Sequence, residues 1–475
     1  LFGFGSYNGY GNFIPLITYY FLPFFPNSDL AYALPSAIIG VISIFLLYVL
    51  TRLITGRIIA ITAAIFLAIN ITHLHYSRTE LLAIMDSLLS VLIISAVYAT
   101  FFFSEGFFLL GLVFGFSLHF YAGIRGVLIS VTVALLLLQI KQVAQYAYKK
   151  DWDVLYAYLK KTFFNLVRFL IGFIIALGPT IFYFSNKTNI LSNTGITSIF
   201  FDTQFLQNTI FQKISFIAKK YIEAFLVYFA SPSQENIFHF NYPIALINFP
   251  INIFFVIGII VLLFNRKYTK NLLIIVLLAI IFIFPITNQV IINQIGANHR
   301  LLGVIPLLSI VAAFGLVSVV RLLKQNYMLY ALVGLICIGN LFFYFLHRPS
   351  DIKYDVKEYI FQNVVEYIRD DKQYQTYYIL NDDIYNFDFM HYREKIEFYT
   401  YPKEAVLLDR ETFLKRKQED SAFSRNTFLV TRWIPELDVY SKKSISIHCQ
   451  KPVFFPDYRC PISFIGDYSF YILEH

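Results

Sequence analysis

Apolar residues fall along this chain in ten stretches of near-membrane length, at roughly 33–50, 58–72, 86–103, 107–121, 127–140, 163–184, 247–264, 271–287, 301–320 and 328–346. A helix needs about 20 mainly apolar residues to cross the hydrocarbon of a bilayer. The pattern therefore predicts a polytopic α-helical membrane domain over residues 1–346 with about ten spans, several of them short. The run "FIPLITYYFLPFF" at 13–25 is too short to cross and carries Pro15 and Pro23, which predicts a helix lying at the interface or dipping in from it. "YAYKKDWDVLYAYLKK" (146–161) interleaves aromatic residues with lysines and predicts an amphipathic helix along the inner interface. The long connection 185–246 holds one helical pattern, "FQKISFIAKKYIEAFLVYF". From 347 the period changes. Residues 354–371 keep a helical repeat, while "YQTYYILND", "NTFLVTRWI" and "DYSFYILEH" alternate as strands do, so 347–475 predicts a small α/β domain.

Composition agrees with this division. The chain is 57% hydrophobic and 14% charged, against about 25% charged in soluble domains. Only nine of the 30 acids precede position 351, so a charge-poor membrane part is followed by a polar tail. The net charge of +8 has no basic cluster apart from the membrane-flanking loops, which argues against nucleic acid as a partner. Cys337 sits in an apolar run, while Cys449 and Cys460 lie in the tail, as a disulfide or as two free thiols.

Lysine and arginine mark the cytoplasmic side of short loops. One set of alternate loops holds Arg52, Arg57, Lys141, Lys149, Lys150, Lys160, Lys161, Arg266, Lys267, Lys270, Arg321 and Lys324; the opposite short loops hold only Arg78, Arg125 and Arg300. The bias places "HYSR", "YAGIRG" and "GANHR" together on the extracytoplasmic face, with the C-terminal domain.

Those three arginines are the candidate chemistry. Guanidinium is permanently charged and matches a phosphate with two parallel hydrogen bonds, and a lipid-linked phosphate sits at the depth of these loops. Each arginine could instead snorkel to the headgroups; context favours phosphate at Arg78 and Arg125 and headgroups at Arg300. Gly123 and Gly126 flank Arg125 and permit a tight turn and close backbone approach, as would an ordinary interhelical turn. Of the acids on the same face, Asp86 stands eight residues after Arg78; if the chain is helical from Thr79 onward the two share one side and Glu80 points elsewhere. That pair serves a reaction site or simply neutralises itself at a helix end. His73 and His75, two apart with no third ligand in view, make a poor metal pattern; His75 could hydrogen-bond a sugar or phosphate.

These residues carry a resemblance. "AYALPSAIIGVISIFLLYVLTRLITGR", "HYSRTELLAIMDSLL", "GFSLHFYAGIRGVLI" and "ANHRLLGVIPLLSIVAAFGL" are similar, in that order, to segments of the GT-C glycosyltransferases of family 39. That group includes the dolichyl-phosphate-mannose protein mannosyltransferases, the lipid A aminoarabinose transferase and their RgtA/B/C/D-like prokaryotic relatives. The interval from Arg78 to Asp86 is longer than in the eukaryotic mannosyltransferases. The family also has a first span and an outer loop with an acidic pair before the segment that "LFGFGSYNGYGNFIPLITYYF" resembles, so the chain reads as an N-terminally truncated member.

The resemblance implies a GT-C fold and an inverting sugar transfer from a polyprenyl-phosphate donor to a hydroxyl acceptor (protein, lipid or glycan) on the extracytoplasmic face of the cell membrane. Arg78 and Arg125 would hold the donor phosphate, with Arg300 and His75 as further candidates. Asp86, and behind it Glu80, would deprotonate the acceptor. No cofactor is implied, and a divalent metal is left open. Two other classes share these features: a transporter or flippase of lipid-linked saccharides, although the inverted repeat such proteins carry is not found, and a non-catalytic membrane scaffold.

Overall fold

The computed structural model describes Tyr20, Phe24, and residues 29–78, 83–120, 123–184, 203–229, 245–265, 271–291 and 298–347, then 376–381, 404–409, 415, 427–430, 441–449 and 466–474. The chain forms two compact units, Leu1–Phe21 with Tyr32–Leu341, and Leu22–Ala31 with Phe342–His475. Apart from Tyr20 and Phe24, the expected interfacial helix at 13–25 lies outside the described residues.

In chain order the helices are α1 (Asp29–Ile54), α2 (Arg57–Ala68), α3 (Ile71–Tyr76), α4 (Ile84–Thr100), α5 (Glu105–Ser117), α6 (Gly123–Tyr148), α7 (Trp152–Phe184), α8 (Thr203–Gln207), α9 (Ile210–Leu226), α10 (Ile251–Phe264), α11 (Leu272–Pro285), α12 (Asn298–Leu301), α13 (Ile305–Leu323) and α14 (Asn326–Phe342). Each of the ten apolar stretches carries a helix, but among the described residues six are long and apolar enough to cross a membrane: those within α1, α6, α7, α11 with its extension to Val290, α13, and α14 with its extension to Leu346. The other four, α2, α4, α5 and α10, have 10–17 residues and fall short by length. The chain is a multi-pass membrane protein.

Local chemistry sets where these helices break. The stretch 58–72 is not one span: α2 ends at Ala68, and Asn70 caps α3 by accepting the His73 N–H at 3.0 Å. Its amide also donates to the Leu246 carbonyl at 2.9 Å. The inner amphipathic helix expected over 146–161 does not form as one piece. Lys150 takes a left-handed φ of 55° that ends α6, and the Asp151 carboxylate accepts the Val154 N–H at 3.3 Å to start the 33-residue α7. On α11, Pro285 has no N–H to give the carbonyl four residues back. The buried Tyr228 hydroxyl donates to that Ile281 oxygen instead, at 3.3 Å, and the backbone continues as a π-helical segment, Ile286–Val290.

Without a hydrophobic drive between helices in lipid, close packing depends on small residues. Gly111 and Gly115 of α5 lie against the Phe169 and Phe173 backbone of α7, where a side chain would not fit. Gly258 of α10 and Gly315 of α13 let those two helices approach in the same way. Helix α13 is buried on every side from Ile305 to Val317 and forms the centre of the first unit, whereas α7 exposes Phe163, Ile171 and Ile174, as lipid contact requires.

The C-terminal unit contains a five-stranded mixed sheet in the order β2-β1-β3-β5-β4, with β1 (Thr376–Asn381), β2 (Glu404–Asp409), β3 (Thr427–Val430), β4 (Ser441–Cys449) and β5 (Gly466–Glu474). β1 pairs in parallel with β2 and β3, and β5 runs antiparallel to β3 and β4. Strands β1, β3 and β5 fall on the three alternating stretches of the tail. The expected helix at 354–371 and Cys460 lie outside the described residues.

Candidate functional site

Alternation of the helices brings the starts of α4 and α6 and the connection from α11 to α13 to the same end of the bundle, the end that the charge bias assigns to the outer face. Asp86 lies in the first turn of α4, fully buried. Its carboxylate occupies the space above Gly123, the first residue of α6, where an added Cβ would meet Asp86 Oδ2 and would come within 2.8 Å of the Arg300 carbonyl and 3.0 Å of Arg300 Cα. Only glycine fits there. Favourable electrostatic partners of Asp86 are the Ile124 backbone N–H and the Arg125 guanidinium. The first turn of a helix has unpaired amides, so α6 begins against a buried carboxyl group, with half-buried Arg125 two residues in.

The third wall comes from the π-helical segment. Asn288, fully buried, donates its amide to the Arg300 carbonyl at 2.5 Å. Thr287 donates to the Gly126 carbonyl at 3.1 Å and lies 3.2 Å from the Ser130 hydroxyl, which donates to the same carbonyl at 2.7 Å. Asn288 also lies against Gly126, where a Cβ would come within 2.6 Å of its own. These bonds tie α6, the π segment and α12 into one block. Asp86 Oδ1 and Oδ2, Asn288 Oδ1 and Arg300 Nε are all buried and form no hydrogen bond of ordinary geometry. Buried polar groups are nearly always paired, so this junction concentrates unspent hydrogen-bonding capacity.

The sequence candidates are placed as follows. Asp86, Arg125 and Arg300 come together, from positions up to 214 residues apart. Arg78 is exposed and follows α3; α4 begins at Ile84, and residues 79–82, on which a shared helix face with Asp86 depends, lie outside the described residues. His75 is half-buried, its ring edge-on to Tyr76 at 5.2 Å. Glu80 lies outside the described residues. His73 is buried against Gly40 of α1, and burial pushes its imidazole down to about 3. Among the described residues, no three His, Cys, Asp or Glu side chains gather to hold a metal ion. Asn288 and Thr287 were not among the sequence candidates; their signal was "TNQ", three polar residues in an apolar run just after Pro285.

No family model matches the chain, and no curated protein does. Among solved structures it is similar to ArnT from Cupriavidus metallidurans bound to undecaprenyl phosphate, with 11% identity, 98% of this chain and 88% of that chain covered, and a TM-score of 0.53. It is also similar to the archaeal oligosaccharyltransferase AglB from Archaeoglobus fulgidus in complex with an inhibitory peptide and a dolichol-phosphate, with 13% identity over 90% of this chain and a TM-score of 0.43. The chain spans 62% of the length of AglB. Identities this low speak to architecture alone, and what the ArnT likeness shows is a shared fold.

Proposed function

We propose that the chain is a membrane glycosyltransferase of the family 39 type, moving a hexosyl or pentosyl group from a polyprenyl-phosphate donor to a hydroxyl acceptor on the extracytoplasmic face. The observation that carries this reading is the meeting of Asp86, Arg125 and Arg300 at one end of the bundle, on three elements far apart in sequence. The similar ArnT structure was solved with undecaprenyl phosphate bound, a ligand of the class that arginines at this depth suit.

In the reaction the bond from the sugar's anomeric carbon to the phosphate oxygen breaks, leaving its electron pair on the lipid phosphate. A new bond forms from the acceptor oxygen to that carbon, with inversion, and the acceptor proton passes to a carboxylate. Arg125 and Arg78 stabilise the charge that grows on the leaving phosphate, and Arg300 and His75 stand close in the chain to the same end. Asp86 is the positioning residue of this set. A carboxylate buried to 0% exposure against Gly123 and Arg300 cannot reach an acceptor hydroxyl, but it can fix the start of α6 and the Arg125 guanidinium. Glu80 is the sequence candidate left for taking the acceptor proton. The C-terminal unit would lie on the same extracytoplasmic side.

The test is sugar release and transfer from a synthetic polyprenyl-phosphate sugar by the reconstituted chain. Arg125→Ala should lose at least about a hundredfold in rate, the scale of one lost charge-stabilising donor, with partial recovery in Arg125→Lys. Transfer at the same rate in the wild type and in Arg125→Ala would overturn the reading.

A further inference from the structure

Helix α9 is no span, yet it carries a strongly apolar stripe. Thr209 and Gln212 form a reciprocal capping box at its start, so the helix has a defined beginning. At 100° per residue, Ile210, Ile214, Ile217, Tyr221 and Phe225 fall on one face, with Phe211 and Ile222 at its edge. The C-terminal half of that face is used. Tyr221 donates to the Phe282 carbonyl at 3.1 Å, and the Phe225 ring stacks on Phe282 at 5.5 Å. From the neighbouring side, Gln289 of the π segment donates to the Ala224 carbonyl at 3.2 Å. The N-terminal half of the same face is bare: Ile210 is 80% exposed, Phe211 81% and Ile214 61%.

The opposite face carries Gln212, Lys219 and Glu223, with Phe216 beside them packed on Phe205 at 5.9 Å. Lys213 and Lys220 border it, their ammonium groups over the Phe205 and Phe216 rings at 5.6 and 5.8 Å. Three lysines beside an exposed apolar stripe are the charge pattern of a helix lying in the headgroup region.

We infer that α9 is an interfacial helix: Ile210, Phe211, Ile214 and Ile217 enter the outer leaflet, and Lys213, Lys219 and Lys220 meet the lipid phosphates. Its docking on Phe282 and Gln289 couples bilayer depth to the block that holds Asn288, one residue away. The inference stands independently of the glycosyltransferase reading.

A single environment-sensitive NBD probe tests it, in the full chain with Cys337, Cys449 and Cys460 replaced by serine, reconstituted in phosphatidylcholine–phosphatidylglycerol vesicles without any donor. At Ile214→Cys the probe should be blue-shifted and quenched several-fold more by bromine on the upper acyl chain than by aqueous iodide; at Lys219→Cys the ratio should invert. Both positions are exposed, so the label leaves the fold intact. Equal iodide quenching at the two positions would overturn the inference, because α9 would then stand in water. An Ile214 probe shielded from both quenchers would overturn it too, in favour of a protein partner such as a second copy of the chain.

Discussion

At the scale of residues, Gly123 decides whether the candidate site can form. Its missing side chain is the space in which the Asp86 carboxylate and the Arg300 backbone meet, and two of the obstacles to a Cβ are backbone atoms that cannot turn aside. Gly123→Ala should therefore cost about 1–3 kcal/mol, the usual price of overpacking, read as a lower thermal midpoint in detergent. An unchanged midpoint would mean that the three elements do not touch. His73 supplies a pH dependence whose sign follows from burial. Its folded value of about 3 lies below the ordinary 6.5, so below pH 6.5 the unfolded chain takes a proton that the folded chain refuses. Stability should fall as pH drops from 6.5 toward 3, by up to about 1.4 kcal/mol per unit. His73→Gln should flatten that slope between pH 7 and 5, and an unaltered slope would assign it to other groups.

Elements show why the sequence was readable in some places and not in others. Helices fell on all ten apolar stretches because apolar runs announce themselves by composition. Their ends did not, because those depend on single side chains acting across space: Asn70 reaching Leu246, or Lys150 turning left-handed before α7. The π segment is the clearest instance. Pro285 was visible in the sequence, but that Tyr228, 57 residues earlier, would serve the carbonyl it deprives was not. Tyr228→Phe should destabilise the chain by about 1 kcal/mol, the net value of one hydrogen bond. In a Pro285→Ala background, where a backbone N–H becomes available to Ile281, the same change should cost much less. A double-mutant cycle on thermal midpoints would read this coupling, and strict additivity would show that the hydroxyl does not replace the missing donor.

For the whole molecule, the most consequential feature is the meeting of Asp86, Gly123, Arg125 and Arg300 from three distant elements. The fold delivers Arg125 and Arg300 to a common junction with Asp86. What the sequence concealed was the burial there: Asp86, a candidate base by residue type, lies fully buried against Gly123. Asn288 went unnoticed because a polar residue inside an apolar run reads as an interruption until its partner is known. The most direct measurement is binding of a polyprenyl phosphate to the purified chain, by native mass spectrometry, across Arg125→Ala and a control at the other end of the bundle, Arg52→Ala. The account predicts that Arg125→Ala weakens binding at least about tenfold, about 1.4 kcal/mol, while Arg52→Ala leaves it unchanged. Equal affinity in wild type and Arg125→Ala, or an equal loss in both variants, would contradict it.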